Sequence, residues 1–431
     1  MSDLDAPSTT SMLRALRLVA LIAAGEAAFL LPFLLARIFR PTLLDVFGIT
    51  NLELGSAYAA YGLVAMLAYL VGGPLADRFP PRGMLLTALL LTAAGGLFLV
   101  DVPSLHRLVA LYVYWGVTTI ALFWAPLIKA TRDWGGRTSQ GRAFGLLDGG
   151  RGLLAAATGS LLVTVFALLL PVDPATASLA ERAAALERVI ILLIAITAGI
   201  AVLLRFALPA ESSRGASVRG LGLEGLERCI RLPTVWLQAL VILCAYVGFR
   251  SIDDFSLYAR DVLGLNEVDA ARVGVVSLWV RPVAAVGAGF LADRFGAARM
   301  SFISFVLIAA GSTALASGGM PGSSLMLYLL TIGCSSLGIF GLRGLYFAIM
   351  REGRVPMAFT GSAVGFVSLI GYTPDVFMAP LMGFLIDRSP GAAGHQHVFV
   401  VVTGFALVGL AASLAFGKLG VRSVGEEETK G

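Results

Sequence analysis

Glu26, Arg250, Asp253, Asp254, Arg281, Arg343 and Asp375 each interrupt an apolar run long enough to cross a bilayer, and Asp148 and Arg151 stand near the start of a further one. A charge at the bilayer centre costs at least ~2.5–3.5 kcal/mol, so residues of this kind are candidates for chemistry rather than packing. Spacing sorts them. Arg250, Asp253 and Asp254 lie one helical turn apart and share a face, so they can neutralise one another as a local ion pair or serve a ligand. Asp148 and Arg151 can pair in the same way or snorkel to the interface. Glu26, Arg281, Arg343 and Asp375 have no partner within a turn of their own helix. Their counter-charges must come from another helix, a substrate or a proton. Glu26 is the candidate for proton coupling, because a desolvated carboxyl can load and release a proton; the alternative is an interhelical salt bridge to an arginine. Arg281 and Arg343 offer the bidentate donors that grip a carboxylate or phosphate, with pairing to Asp375 or Glu26 as the alternative.

The elements that position these charges follow from composition. The chain is 58% hydrophobic and 14% charged, with a mean hydropathy of +0.86, whereas soluble domains carry roughly 25% charged residues. Apolar runs of about 20 residues read as membrane-spanning helices, and the absence of period-two alternation argues against a β-barrel. Hydropathy and breaker residues place twelve spans near 15–38, 55–76, 83–101, 107–130, 143–170, 188–209, 233–257, 270–291, 297–317, 323–349, 360–384 and 398–417. The expected organisation is a six-helix bundle over 1–209, a cytoplasmic linker with a short amphipathic helix over 210–232, a second bundle over 233–417 and a tail over 418–431. Lys and Arg concentrate in alternate loops, which puts both termini on the cytoplasmic side of an inner membrane. The net charge of +5 is scattered among short loops and does not point to nucleic acid. Cys229, Cys244 and Cys334 form no spaced pair, which argues against a disulfide or a zinc site. His395 and His397, in "GHQH", fall in an outer loop before the last span, where no metal site is expected. No Gly-x-x-x-x-Gly-Lys-Ser/Thr loop occurs, so the chain does not read as an ATPase or any other enzyme.

Two loops repeat. "GGPLADRFPPRGM" (72–84) and "GFLADRFGAARM" (289–300) share Gly-x-Leu-Ala-Asp-Arg-Phe half a chain apart, with Asp77–Arg78 and Asp293–Arg294 in matching places on the cytoplasmic side. "GRAFG" (141–145) and "GSAVG" (361–365) echo each other at nearly the same step. Parallel halves of this kind are a transporter architecture. A third partial copy, "GFLIDRSPG" (383–391), falls at the outer end of span 11, on the wrong face for a cytoplasmic latch.

The repeated loop resembles the signature of the major facilitator superfamily, Gly-x-x-x-Asp-Arg-x-Gly-Arg-Arg, although Pro80 and Pro81 replace its Gly and Arg in the first copy. The second copy keeps Gly296 and Arg299. The resemblance implies that Asp77 docks at the start of helix 11, near Gly361, and Asp293 at the start of helix 5, near Gly141. There they would hold the cytoplasmic side shut, as a carboxylate at a positive helix N-terminus does. It further implies that spans 1, 7, 8, 10 and 11 line a central cavity. The segment from Leu342 to Phe399 is similar to bacterial facilitators distantly akin to organic-anion and sugar-phosphate porters. Sugar-phosphate antiporters carry an arginine in helix 1, where this chain has Glu26. The Gly-Pro step of drug antiporters is missing from span 5. The expectation is a monomeric secondary transporter, without cofactor or metal, that couples a small organic anion to protons. Its substrate and coupling residues are expected among Glu26, Arg250, Asp254, Arg281, Arg343 and Asp375. Drug or metabolite efflux, and a solute sensor without flux, are the alternatives.

Overall fold

The computed structural model describes residues 9–136, 140–209, 230–319, 324–352 and 360–428; the expected linker helix and Cys229 lie outside them. Twelve described helices are long and apolar enough to span a membrane: α1 Met12–Ile38, α2 Asn51–Arg78, α3 Pro81–Val100, α4 Leu105–Gly135, α5 Ala143–Leu169, α6 Leu179–Ala207, α7 Pro233–Asp261, α8 Glu267–Phe295, α9 Ala297–Ala316, α10 Leu325–Leu345, α11 Phe366–Arg388 and α12 Ala392–Leu419. Helix is the form dictated by lipid, where every backbone N–H and C=O must be satisfied within its own segment. The repeated Asp-Arg turns after α2 and α8, the start of α1 and the finish of α12 all lie at one end, here termed the hinge end. The other is the far end.

Local chemistry sets the boundaries. The Thr50 hydroxyl accepts from Glu53 N–H while Glu53 accepts from Thr50 N–H, a capping box that starts α2, and Ser178 with Glu181 starts α6 in the same way. That second box carries α6 nine residues beyond the expected start at 188, because hydropathy weighs the polar turn "SLAERA" against a span and capping does not enter it. α12 likewise begins at Ala392, ahead of the expected 398, and its helix runs on through Glu428.

Four spans are broken near the charges, α4 by a π-helical stretch over Val117–Trp124. α1 widens to a π-turn over Leu30–Leu34, around Pro32. α7 tightens to a 3-10 turn over Ile252–Asp254. In α11 the helix stops at Gly371 and restarts at Pro374, while Pro380 stays inside the second segment.

The helices form two pseudo-symmetric six-helix bundles, which meet along α2 with α11 and α5 with α8. The repeat is visible in the contact itself. Arg37 and Asp253 are 216 residues apart, the same step that separates Asp77 from Asp293. Residues in equivalent positions of the two halves therefore meet on the symmetry axis. Like charges there would repel, and this pair is opposite in sign.

Candidate functional site

Midway along the interface, Glu26 of α1 faces two arginines from different halves. Arg151 Nε of α5 lies 3.4 Å from Glu26 Oε2, and Arg281 Nη1 of α8 lies 3.6 Å from the same oxygen. Arg281 also donates from Nη2 to Asp148 Oδ1 at 3.2 Å. All three central residues are under 10% exposed. Their charges attract across the gap, yet no donor is aligned: Glu26 Oε2, Arg151 Nε and Arg281 Nε are buried without a hydrogen-bond partner among the described residues. A buried guanidinium normally fills its fork of donors, so this group is under-satisfied. Gly152 makes room for it, since a Cβ there would stand 2.9 Å from Arg281 Cγ. The expected self-pairing of Asp148 with Arg151 does not occur; each turns instead to an arginine or carboxylate of a facing helix.

Closer to the far end, Arg250 of α7 donates to Asp375 of α11 at 2.8 Å and to Asp253 at 3.2 Å. The second is the local i,i+3 pair that its spacing allows. Asp253 also takes Arg37 at 2.6 Å, and Tyr246 donates its hydroxyl to Asp375 at 3.1 Å. The Arg250 guanidinium lies 4.8 Å from the Phe33 ring and 5.3 Å from the Tyr58 ring, a cation–π setting that favours a desolvated arginine. Arg343 and Arg37 both lie against the ring of Phe249, at 4.1 and 4.7 Å. The structure thus brings Glu26, Arg250, Arg281, Arg343 and Asp375 into one polar layer between the halves. Asp254 is apart from it: fully buried, it turns to His395 of α12 at 2.8 Å.

The far end is closed. Arg182 and Arg260, from opposite halves, both bind Asp45, at 2.9 and 3.0 Å. Arg182 reaches Glu267 across the interface at 3.0 Å, and Thr42 donates to the same carboxylate at 2.6 Å. Asp387, in the third partial copy of the loop motif, accepts the backbone N–H groups of Asn51 and Leu52 at 3.2 and 2.7 Å and the Asn51 side chain at 3.0 Å. It therefore caps the far-end start of α2, on the face opposite the two repeated loops. At the hinge end, Asp77, Arg78, Asp293 and Arg294 are exposed. The side chains around Gly141 and Gly361, toward which the resemblance directs the two aspartates, lie outside the described residues. Lys129 donates to the carbonyl of Ala76 at 2.6 Å and ties α4 to the end of α2 beside Asp77.

Several of these residues escaped sequence reading. Arg37, Asp45, Arg182 and Glu267 stand at span ends, where a charge is ordinary. The repeat step from Arg37 to Asp253 was the one available signal. His395 is not in a loop: it is fully buried in the first turn of α12, because the helix begins before the polar "GHQH".

The chain is similar to the inner membrane protein YqcE of Escherichia coli (strain K12), 24% identical over 91% of both chains. It is also similar to a probable nitrate/nitrite transporter, NarK2, of Mycobacterium tuberculosis, 25% identical over 75% of this chain and 78% of that one. Among solved structures, a bacterial homolog of the human lysosomal transporter Spinster, inward-facing and unoccupied, superposes with a TM-score of 0.70 at 14% identity, covering 95% of this chain and 98% of that one. The profile of the Major Facilitator Superfamily matches residues 18–373, across α1 to the break in α11. A match of that reach takes in both copies of the Asp-Arg loop and every charge of the central layer but Asp375, and the chain belongs to the Major Facilitator Superfamily of membrane transporters.

Proposed function

We propose that the protein is a secondary active transporter that carries a small organic anion with protons across a cytoplasmic membrane by alternating access. The observation that carries this reading is the under-satisfied trio, in which guanidinium groups from the two halves converge on Glu26 with donors left over. A carboxylate or phosphate can accept bidentately from Arg151 and Arg281, and so bridge the halves, where Glu26 only attracts them at a distance. The wider layer adds Arg37 and Arg250 beside Asp253 and Asp375. Similarity to a protein described as a nitrate/nitrite transporter supports an anionic cargo.

With Lys and Arg loops inside, the hinge end and both termini are cytoplasmic and the conformation is inward-facing. Similarity to an inward-facing structure supports the same reading. Asp77 and Asp293, with Arg78 and Arg294, hold the cytoplasmic side shut at the starts of α11 and α5 in the outward-facing state.

In this mechanism Glu26 is the internal counter-ion of the empty site. Substrate displaces it from the two arginines, and a carboxylate left unpaired in a buried site takes up a proton. Proton and anion then travel together. Glu26→Gln mimics the protonated form. It should bind the anion roughly tenfold more tightly, keep counterflow in proteoliposomes and lose accumulation driven by a proton gradient. The cargo is found first by a thermal-shift screen of carboxylates, phosphates, sulfonates, nitrate and sugars. Unchanged accumulation by the variant would remove Glu26 from coupling, and binding without flux under any gradient would leave a sensor.

A further inference from the structure

His395 lies outside the polar layer, and nothing in the proposed cycle uses it. Its Nδ1 is 2.8 Å from Asp254 Oδ2 and its Nε2 is 3.4 Å from Asp261 Oδ2. A neutral imidazole has one N–H and one lone pair, and a lone pair facing a carboxylate oxygen is repulsive. The two contacts are both favourable only if the trio holds one hydrogen more than a neutral ring with two carboxylates supplies. His395 and Asp254 are fully buried, and Asp254 Oδ1 accepts no hydrogen bond among the described residues. Asp261, by contrast, keeps 22% of its side chain exposed, which gives the trio a route to solution at the far end. Tyr258 packs edge-on to the imidazole with ring centroids at 5.3 Å, and Tyr328 stacks on Tyr258 while donating to Phe255 O. With Arg260, these are the other titratable groups that face the trio among the described residues.

The trio is wired to the closed far end. Asp261 accepts from Arg260 at 2.9 Å, and Arg260 donates onward to Asp45 of the first half at 3.0 Å. We infer that His395, Asp254 and Asp261 form a proton-binding site that controls closure of the far end. When the proton is bound, the imidazole shares the Asp261 charge and Arg260 is free to bridge to Asp45. When the proton leaves, Asp261 loses its second partner and draws Arg260 back to itself, and the tie to the first half weakens. A proton taken from the outer solution through Asp261, onto the ring nitrogen lone pair, therefore favours the inward-facing state. The inference rests on the orientation and alternating access proposed above, but not on the identity of the cargo.

The test measures the far end directly and needs no substrate. Spin labels are placed at Val172 and Arg272, exposed positions in the two halves, with Cys229, Cys244 and Cys334 replaced, and their separation is read by pulsed electron resonance in lipid. Between about pH 6 and about pH 9.5, a window that spans imidazole titration in a shielded site, the wild-type separation should lengthen as pH rises. His395→Gln should remove that dependence, and His397→Gln should keep it. Should His395→Gln fail to fold, Asp261→Asn, at the solvent edge of the trio, should likewise remove it. A wild type with no pH-dependent change overturns the inference, and so does either His395→Gln or Asp261→Asn with the wild-type response. A far end that answers to pH in a protein that moves no anion would leave this site standing and sink the anion reading instead.

Discussion

Arg250→Ala is expected to abolish transport and to remove about 3–5 kcal/mol of stability, the usual cost of breaking a buried ion pair by taking one partner away. Arg250 is 2% exposed and is the guanidinium bound to Asp375. Its loss leaves the Asp375 carboxylate held by Tyr246 alone among the contacts described above, while Asp253 keeps Arg37. The damage should therefore centre on Asp375. Arg250→Ala with Asp375→Ala tests this, because removing both members of a buried pair is far milder than removing one. Thermal unfolding in detergent should place the double variant between Arg250→Ala and wild type, with transport still absent. If the double variant is the less stable of the two, the pair is additive packing and not a coupled ion pair. Lysine at 250 should be a poor substitute, since an ammonium cannot reach Asp375 and Asp253 together as a planar fork does.

How much of this was legible follows from what kind of information each residue needs. The Asp77–Arg78 and Asp293–Arg294 loops stand out because charge is scarce in an apolar chain and a shared motif at a fixed step is scarcer. That was enough to read the family and the duplication, while hydropathy and breaker residues supplied the helix count. Arg250 with Asp253 was legible because an i,i+3 spacing is a local property. Glu26 with Arg151 and Arg281 was not: the three sit on α1, α5 and α8, and hydropathy does not say which helix faces turn toward one another. The local rule even pointed to the wrong partner, pairing Asp148 with Arg151 on one helix when each is neutralised across helices. His395 was misplaced for a related reason. Its polar neighbours read as a loop, and only the helix start at Ala392 shows that the ring turns inward to Asp254.

Asp387 shows a position whose meaning depended on the end at which it sits. The Thr50–Glu53 capping box satisfies the N–H of Glu53, and Asp387 of α11 takes the N–H groups of Asn51 and Leu52, so a carboxylate from one half completes the helix cap of the other. The same two helices carry the reverse arrangement at the hinge end, where Asp77 ends α2 and the resemblance directs it to the start of α11. Each helix thus finishes in an Asp-Arg, and on the alternating access proposed above the two docks belong to opposite conformations. Asp387→Asn should lose about 1 kcal/mol of far-end closure, roughly a fivefold shift toward the outward-facing state. Asp77→Asn should shift the balance the other way, and the double variant should return toward wild type. Gly383→Ala should act more strongly than either. A Cβ at 383 would fall on the backbone of Asn51 and Leu52 rather than on a side chain that can move, and overpacking of this kind costs about 1–3 kcal/mol. Labelling of a far-end cysteine by a membrane-impermeant maleimide reads all four variants. Asp387→Asn and Asp77→Asn moving in the same direction would show that the two docks do not alternate.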